Sequence, residues 1–150
     1  TVEAMEGGRT DIILGEIKEA VLKKADSGRI AQVIENIINN ARKYAPGNIY
    51  INTEVENNSL DDMDSKEYKI RIKDEGRGIL PEDMPFIFDK FYRGKNHGDE
   101  PGAGLGLFIV KYVMEQMDGR VLINNCSDGL EVTLIFNLYI CTNNNMYEQI

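Results

Sequence analysis

The chain has 150 residues, with 17 Lys and Arg against 25 Asp and Glu, a net charge of −8 and a single histidine. That length suits one domain with one sizeable core, and a 42% hydrophobic, 28% charged composition is that of a soluble globular protein. The acidity disfavours nonspecific binding to nucleic acid or to an anionic membrane, and His97 alone cannot build a multi-histidine metal site.

No apolar run is long enough to span a bilayer, and no signal-peptide pattern occurs. Cys126 and Cys141 form no metal or redox motif and read as free thiols in a reducing cytoplasm. Residues 1–10, through Gly7-Gly8, read as a linker. From Asp11 to Lys24, Ile13, Ile17, Ala20 and Val21 recur at helical spacing and predict an amphipathic helix. Asp26 or Ser27 caps a second helix, from about Arg29 to Ala45, which Pro46-Gly47 stops. Residues 48–56 alternate, with Ile49, Ile51, Thr53 and Val55 on one face, and predict a half-buried strand. After an acidic, Asn-rich loop, Tyr68 to Lys73 alternates again with Ile70 and Ile72 inward. The stretch DEGRGILPEDMPFIFDKFYRG is turn-rich with short helical pieces, and KNHGDEPGAG is a polar, glycine-rich loop. A third helix is expected over Leu105–Met117, followed by strands at about 120–124 and 131–140 and a loose polar tail over 141–150. Alternating strands with unevenly placed helices imply an α/β (α+β) two-layer sandwich, helices on one face of a mixed, mainly antiparallel sheet.

Three stretches carry chemistry. On the helix RIAQVIENIINNARKY, Ile30, Val33, Ile34, Ile37, Ile38 and Ala41 share the core face. At 100° per residue Asn36, Asn40 and Lys43 fall together, about 80° to 140° from Ile30, beside that face; Tyr44 lies on the border and Asn39 points away. Such a stripe is either solvated surface or faces a ligand. In the second case Asn40 can offer an amide oxygen to Mg²⁺ and Lys43 a point charge to a phosphate. In DEGRGI, Asp74 ends a strand, and Gly76 and Gly78 allow a tight turn and close approach of a ligand. A carboxylate there can accept a hydrogen bond from an exocyclic amine, although Asp-x-Gly-x-Gly also makes ordinary turns. PGAGLGLFIV is a glycine-rich loop that enters a helix, and bare amides at a helix start bind phosphate. It follows a polar loop instead of a strand, and no Walker Gly-Lys-Ser/Thr occurs, so neither a dinucleotide fingerprint nor a P-loop is present.

In this order the pieces resemble the catalytic, ATP-binding domain of sensor histidine kinases, within a superfamily that includes DNA gyrase, mismatch-repair ATPases and a heat-shock chaperone. QVIENIINNARKY resembles the asparagine box, DEGRGI and GAGLGLFIV the two glycine boxes, and FDKFYRG the phenylalanine box that sets histidine kinases apart. The resemblance covers about Asp26 to Leu138. It implies that ATP binds between the helices and a mobile lid at about Gly94–Ala103, anchored by Phe88 and Phe91. Asn40 would hold Mg²⁺ with Asn36 beside it, and Lys43 and Arg93 would meet the phosphates. Tyr44, Gly76, Gly78, Ile79 and Leu107 would line the nucleotide, and Asp74 would bind the adenine amino group above Thr133. Gly102, Gly104, Leu105 and Gly106 would present the lid and helix-start backbone to the phosphates.

The resemblance also implies an edge strand before the asparagine-box helix, for which residues 23–26 leave little room. Residues 1–10 would be the linker from an absent dimerisation domain, 11–140 the catalytic domain and 141–150 a tail. The expected function is transfer of the γ-phosphoryl group of Mg-ATP to a histidine on that separate domain, which would in turn serve a response regulator. No nucleic acid partner and no direct membrane contact are expected, and the location is cytoplasmic, whether or not the parent is membrane-anchored. His97, flanked by polar loop residues, reads as a solvated side chain and not the acceptor. The alternatives are a non-catalytic nucleotide-sensing module, or an ATPase or serine kinase of the same superfamily. The ATPase branch carries a water-activating Glu where this chain has Asn36.

Overall fold

In a computed structural model, which describes residues 11–20, 22, 24–44, 47–57, 66–90, 106–141 and 147–149, two helices lie on one face of a five-stranded sheet. The elements are β1 (Ile12–Leu14), α1 (Ser27–Tyr44), β2 (Ile49–Asn57), β3 (Lys66–Lys73), a 3-10 turn at Met84–Phe86, α2 (Gly106–Gln116), β4 (Arg120–Cys126), β5 (Gly129–Asn137) and the short β6 (Tyr139–Cys141) and β7 (Tyr147–Gln149). The strand order is β1-β2-β3-β5-β4; β1 is parallel to β2 and the other pairs are antiparallel. This is the expected mixed two-layer sandwich.

The core forms because three apolar stripes meet. Val33, Ile37, Ile38 and Ala41 of α1 and Val110, Val113 and Met114 of α2 close on Ile70 and Ile72 of β3 and Val132, Leu134 and Phe136 of β5. Asp26 caps α1: its Oδ1 accepts the Arg29 N–H at 3.0 Å, satisfying one donor that the first helical turn leaves unpaired. Within each strand the side-chain period of two sends alternate residues to the other face.

That outer face is a field of ion pairs. Arg71 pairs with Glu54 and, at 3.3 Å, with Glu131; Lys69 meets Glu56 at 2.8 Å and Lys73 meets Asp128 at 2.7 Å. The hydrogen bond to Glu54 holds Arg71 above its usual pKa, and that from Lys69 holds Glu56 below its own. Their mutual hydrogen bond likewise raises Lys73 and lowers Asp128. Such pairs, partly solvated, let that face carry charge around the buried Thr133 and Ile135, and each is worth little by itself.

Residues 11–20 depart from the expected helix. Ile12–Leu14 form an edge strand alongside Ile49–Ile51. The Asp11 carbonyl accepts from the Ile49 N–H at 2.9 Å, and the Gly15 N–H donates to the Ile51 carbonyl at 2.8 Å. Beyond the strand the chain stays tied to the sheet, the Lys18 N–H donating to Thr53 Oγ1 at 2.7 Å and Tyr68 Oη–H to the Lys18 carbonyl at 2.7 Å. A β-branched pair, Ile12-Ile13, with Leu14 and then Gly15 after it, next to the edge of β2, outweighs a helical spacing of apolar residues that no cap or long run supports. The segment read as a helix thus provides the edge strand for which no room was visible. The tail differs too: the expected last strand breaks at Leu138, and β6 and β7 pair as an antiparallel hairpin where a loose end was expected.

Candidate functional site

Chain connectivity gathers three of the predicted stretches at one end of the sandwich. The C-terminal end of α1 leads within a few residues to Ile49 at the start of β2, and Tyr50 there is in register with Lys73 at the end of β3. Asp74 therefore follows β3 at the end of the sheet reached by the last turns of α1. The start of α2 belongs to the same place. A β-carbon built on Gly106 would lie 3.2 Å from Asn40 Oδ1 and 3.3 Å from its Nδ2.

On α1 the two asparagines of the stripe, and Asn39 opposite them, lie as the helical phase implies, whereas Lys43, expected beside the asparagines, is exposed. Asn36 and Asn40 are half-buried beside the core, whereas Asn39 and Lys43 are exposed. Asn36 Nδ2 is buried and finds no hydrogen-bond partner among the described residues. A buried amide donor without an acceptor is costly, and here it lies one helical turn from Asn40, which abuts the start of α2. The first N–H groups of α2 are among those a helix cannot satisfy internally. An anion seated there would meet the first amides of α2 beside Asn40.

The Asp74 loop is held by backbone. The Asp74 N–H donates to the Leu130 carbonyl at 2.9 Å. Its Oδ1 accepts from the Gly76 N–H at 2.9 Å and from the Leu130 N–H at 3.2 Å. One carboxylate oxygen is thereby fixed, and Oδ2 keeps its acceptor capacity. The packing is close: a β-carbon on Gly129 would come within 1.8 Å of the Asp74 carbonyl oxygen, so only glycine allows β5 to start there. Continuing the alternation of Ile70 and Ile72, Asp74 faces the helix layer.

Thr133 does not join it. Thr133 is in register with Arg71 and Leu122, so it shares the outer face with the ion pairs, while Val132 is opposite Ile72 in the core. Thr133 is buried and its Oγ1 has no partner among the described residues. The expectation that it lies beneath Asp74 fails because the threonine is one residue out of phase with the inward side of β5.

Gly76 and Gly78 shape the Asp74 loop, and Ile79 is half-buried at its end. Leu107 is half-buried in the first turn of α2. Arg93, Gly102, Gly104, Leu105, Phe91, His97 and the side chain of Tyr44 lie outside the described residues. Phe88 is described, and the Lys111 ammonium sits 5.5 Å from its ring centroid.

Two contributors were missed. Glu75, to which no role was assigned, accepts the Asn48 N–H at 2.7 Å through Oε2 and the Tyr50 hydroxyl at 2.9 Å through Oε1. It ties the Asp74 loop to the turn between α1 and β2, joining two motifs that the sequence separates. Asn125, near the end of β4, bonds both polar backbone atoms of Ile79. For Glu75 the only signal was its place beside Asp74; Asn125 carried none, since its partner lies 46 residues away.

A sequence profile described as histidine kinase-, DNA gyrase B-, and HSP90-like ATPase matches residues 25–140. A sensor protein kinase WalK from Staphylococcus haemolyticus is 36% identical over 109 residues, 71% of this chain and 17% of that relative. The chain therefore corresponds to a small part of such a relative. Among solved structures, the nucleotide-free catalytic domain of histidine kinase ThkA superposes with a TM-score of 0.64 at 26% identity, covering 86% of this chain and 80% of that one. Full-length ShkA in complex with AMPPNP does so with the same TM-score of 0.64 at 25% identity, covering 86% of this chain and 26% of the other.

Proposed function

The chain belongs to the histidine kinase-, DNA gyrase B- and HSP90-like ATPase family, and on that premise we propose that it is the catalytic domain of a sensor histidine kinase. It binds Mg-ATP at the α1, Asp74 and α2 end of the sandwich and passes the γ-phosphoryl group to a histidine on a separate dimerisation domain. The observation that carries this reading is the meeting of Asn40 with Gly106. It brings an amide side chain suited to Mg²⁺ against a helix start suited to phosphate, with an Asn36 donor that has no partner among the described residues one turn away.

Asp74 reads the adenine, its Oδ1 fixed by two backbone amides and its Oδ2 accepting from the exocyclic amine. Asn40 supplies an amide oxygen as a protein ligand for Mg²⁺, and Lys43 and Arg93 meet the phosphates. Held there, Mg²⁺ would supply charge neutralisation at the phosphates, on which phosphoryl transfer chiefly depends. Among the described residues no three His, Cys, Asp or Glu side chains are grouped to hold a metal. A neutral imidazole acceptor is already nucleophilic, so this domain need supply no general base.

Residues 1–10 act as the linker to the dimerisation domain, 11–140 as the catalytic domain and 141–150 as a tail. The domain works in the cytoplasm, where ATP and a response regulator are available. Among the described residues no helix is long and apolar enough to cross a membrane. The test is phosphotransfer from γ-labelled ATP, with Mg²⁺, to the dimerisation domain of the same parent protein. Acid-labile label on that domain, unaffected by His97→Ala, is the expected outcome. Label retained on His97, or release of free phosphate without transfer, refutes it.

A further inference from the structure

The loop from Asp74 to Ile79 is grasped at both ends by one cross-strand pair. Asn125 of β4 and Leu130 of β5 are partners in the antiparallel register. Leu130 uses its backbone to hold Asp74, accepting the Asp74 N–H at 2.9 Å and donating to Oδ1 at 3.2 Å. Asn125 uses its side chain to hold Ile79 in the same two-bond manner. The Ile79 N–H donates to Asn125 Oδ1 at 2.9 Å, and Asn125 Nδ2–H donates to the Ile79 carbonyl at 2.8 Å. Gly78 is moulded to this clasp: its φ is +79°, and a β-carbon there would fall 2.3 Å from Asn125 Oδ1. The asparagine is solvent-exposed, so it contributes little to the core. Its amide has the acceptor and donor that match the backbone N–H and C=O of one loop residue.

We propose that Asn125 is a positioning residue for purine selection: by fixing Ile79 it sets the span of the loop and hence where the free Asp74 oxygen points. This rests on the reading of Asp74 as the adenine contact. Selectivity between an amino and an oxo group depends on a donor or acceptor held in place, because a site that relaxes can accommodate the wrong partner. Removing the clasp should therefore degrade discrimination among purines more than it degrades the phosphate-binding end.

The experiment is calorimetric titration of the wild type, Asn125→Ala and Asn125→Asp with ATP, GTP and inorganic tripolyphosphate, each with Mg²⁺. Circular dichroism at the same temperature reports folding. The aspartate keeps an acceptor for the Ile79 N–H and loses the donor to its carbonyl. In Asn125→Ala we expect the ATP preference over GTP to fall about tenfold, the scale of two modest hydrogen bonds, with tripolyphosphate affinity unchanged. Asn125→Asp should fall between. An unchanged ATP-to-GTP ratio in either folded variant overturns the proposal, as does a parallel loss for all three ligands. A wild type with no preference for ATP instead overturns the adenine reading of Asp74. If neither variant folds, hydrogen exchange in the wild type decides. The Ile79 amide should be protected without nucleotide and slowed further by ATP but not by tripolyphosphate; an unprotected or unresponsive amide contradicts the clasp.

Discussion

Asn40 lies across from Gly106 with only 3.2 Å between its Oδ1 and the point where a Gly106 β-carbon would stand. A contact that tight requires the neighbour to give way, and the neighbour here is the amide proposed to hold the metal. Gly106→Ala should therefore weaken Mg-ATP by roughly fivefold, or about 1 kcal/mol, and metal-free ATP by less. Calorimetry with and without Mg²⁺ checks this. Asn39→Ala, on the exposed side of the same helix, should leave both affinities unchanged.

Thr133 offers a test of phase. It is 2% exposed and its hydroxyl has no partner among the described residues, on the face of the sheet away from the helices. Thr133→Val replaces an unsatisfied hydroxyl by a methyl group of similar shape, so it should stabilise the domain by up to about 1 kcal/mol in urea unfolding. ATP affinity should stay at the wild-type value. A large loss of ATP binding without unfolding would instead place Thr133 in the site.

The outer-face ion pairs predict an acid limb of stability. Glu56 titrates below its ordinary value of 4.5, first because of its hydrogen bond with Lys69 and then that with Glu54. A carboxylate whose folded pKa is depressed contributes stability above its unfolded pKa and loses it as the pH falls through the folded one. The contribution of Glu56 should thus be complete above about pH 4.5 and fade at lower pH. Glu56→Gln should lower the urea midpoint modestly at pH 7 and not at the acid end, and 1 M salt should shrink the difference at pH 7.

Much of this arrangement was legible where periodicity or a box of residues spoke. The core stripe of α1, the inward Ile70 and Ile72, the helix over Gly106–Gln116 and the two closing strands follow from spacing, because one buried face imposes a period. The edge strand at Ile12–Leu14 was not legible: three residues give no period, and what decides them is the unpaired edge of β2, a tertiary partner. The phase of Thr133 was lost for a related reason. Val132 and Thr133 are adjacent β-branched residues, and only pairing with Ile72 and Arg71 reveals which faces the helices. The supports of the site were the least visible. Glu75 reaches Asn48 across 27 residues and Asn125 reaches Ile79 across 46, separations on which local pattern is silent.

The central claim, that this domain binds adenine nucleotides through Asp74, is tested most directly by calorimetric titration of the wild type and of Asp74→Asn with Mg-ADP and Mg-GDP. The substitution exchanges a carboxylate for an amide of the same shape, and Oδ1 carries two backbone hydrogen bonds at 2.9 and 3.2 Å. The wild type should bind ADP at least about tenfold more tightly than GDP. Asp74→Asn, folded by circular dichroism, should lose roughly 1–3 kcal/mol of ADP affinity, the cost of a buried partner left without its bond. Equal affinity of the wild type for the two nucleotides, or ADP binding undiminished in the folded variant, would contradict the account.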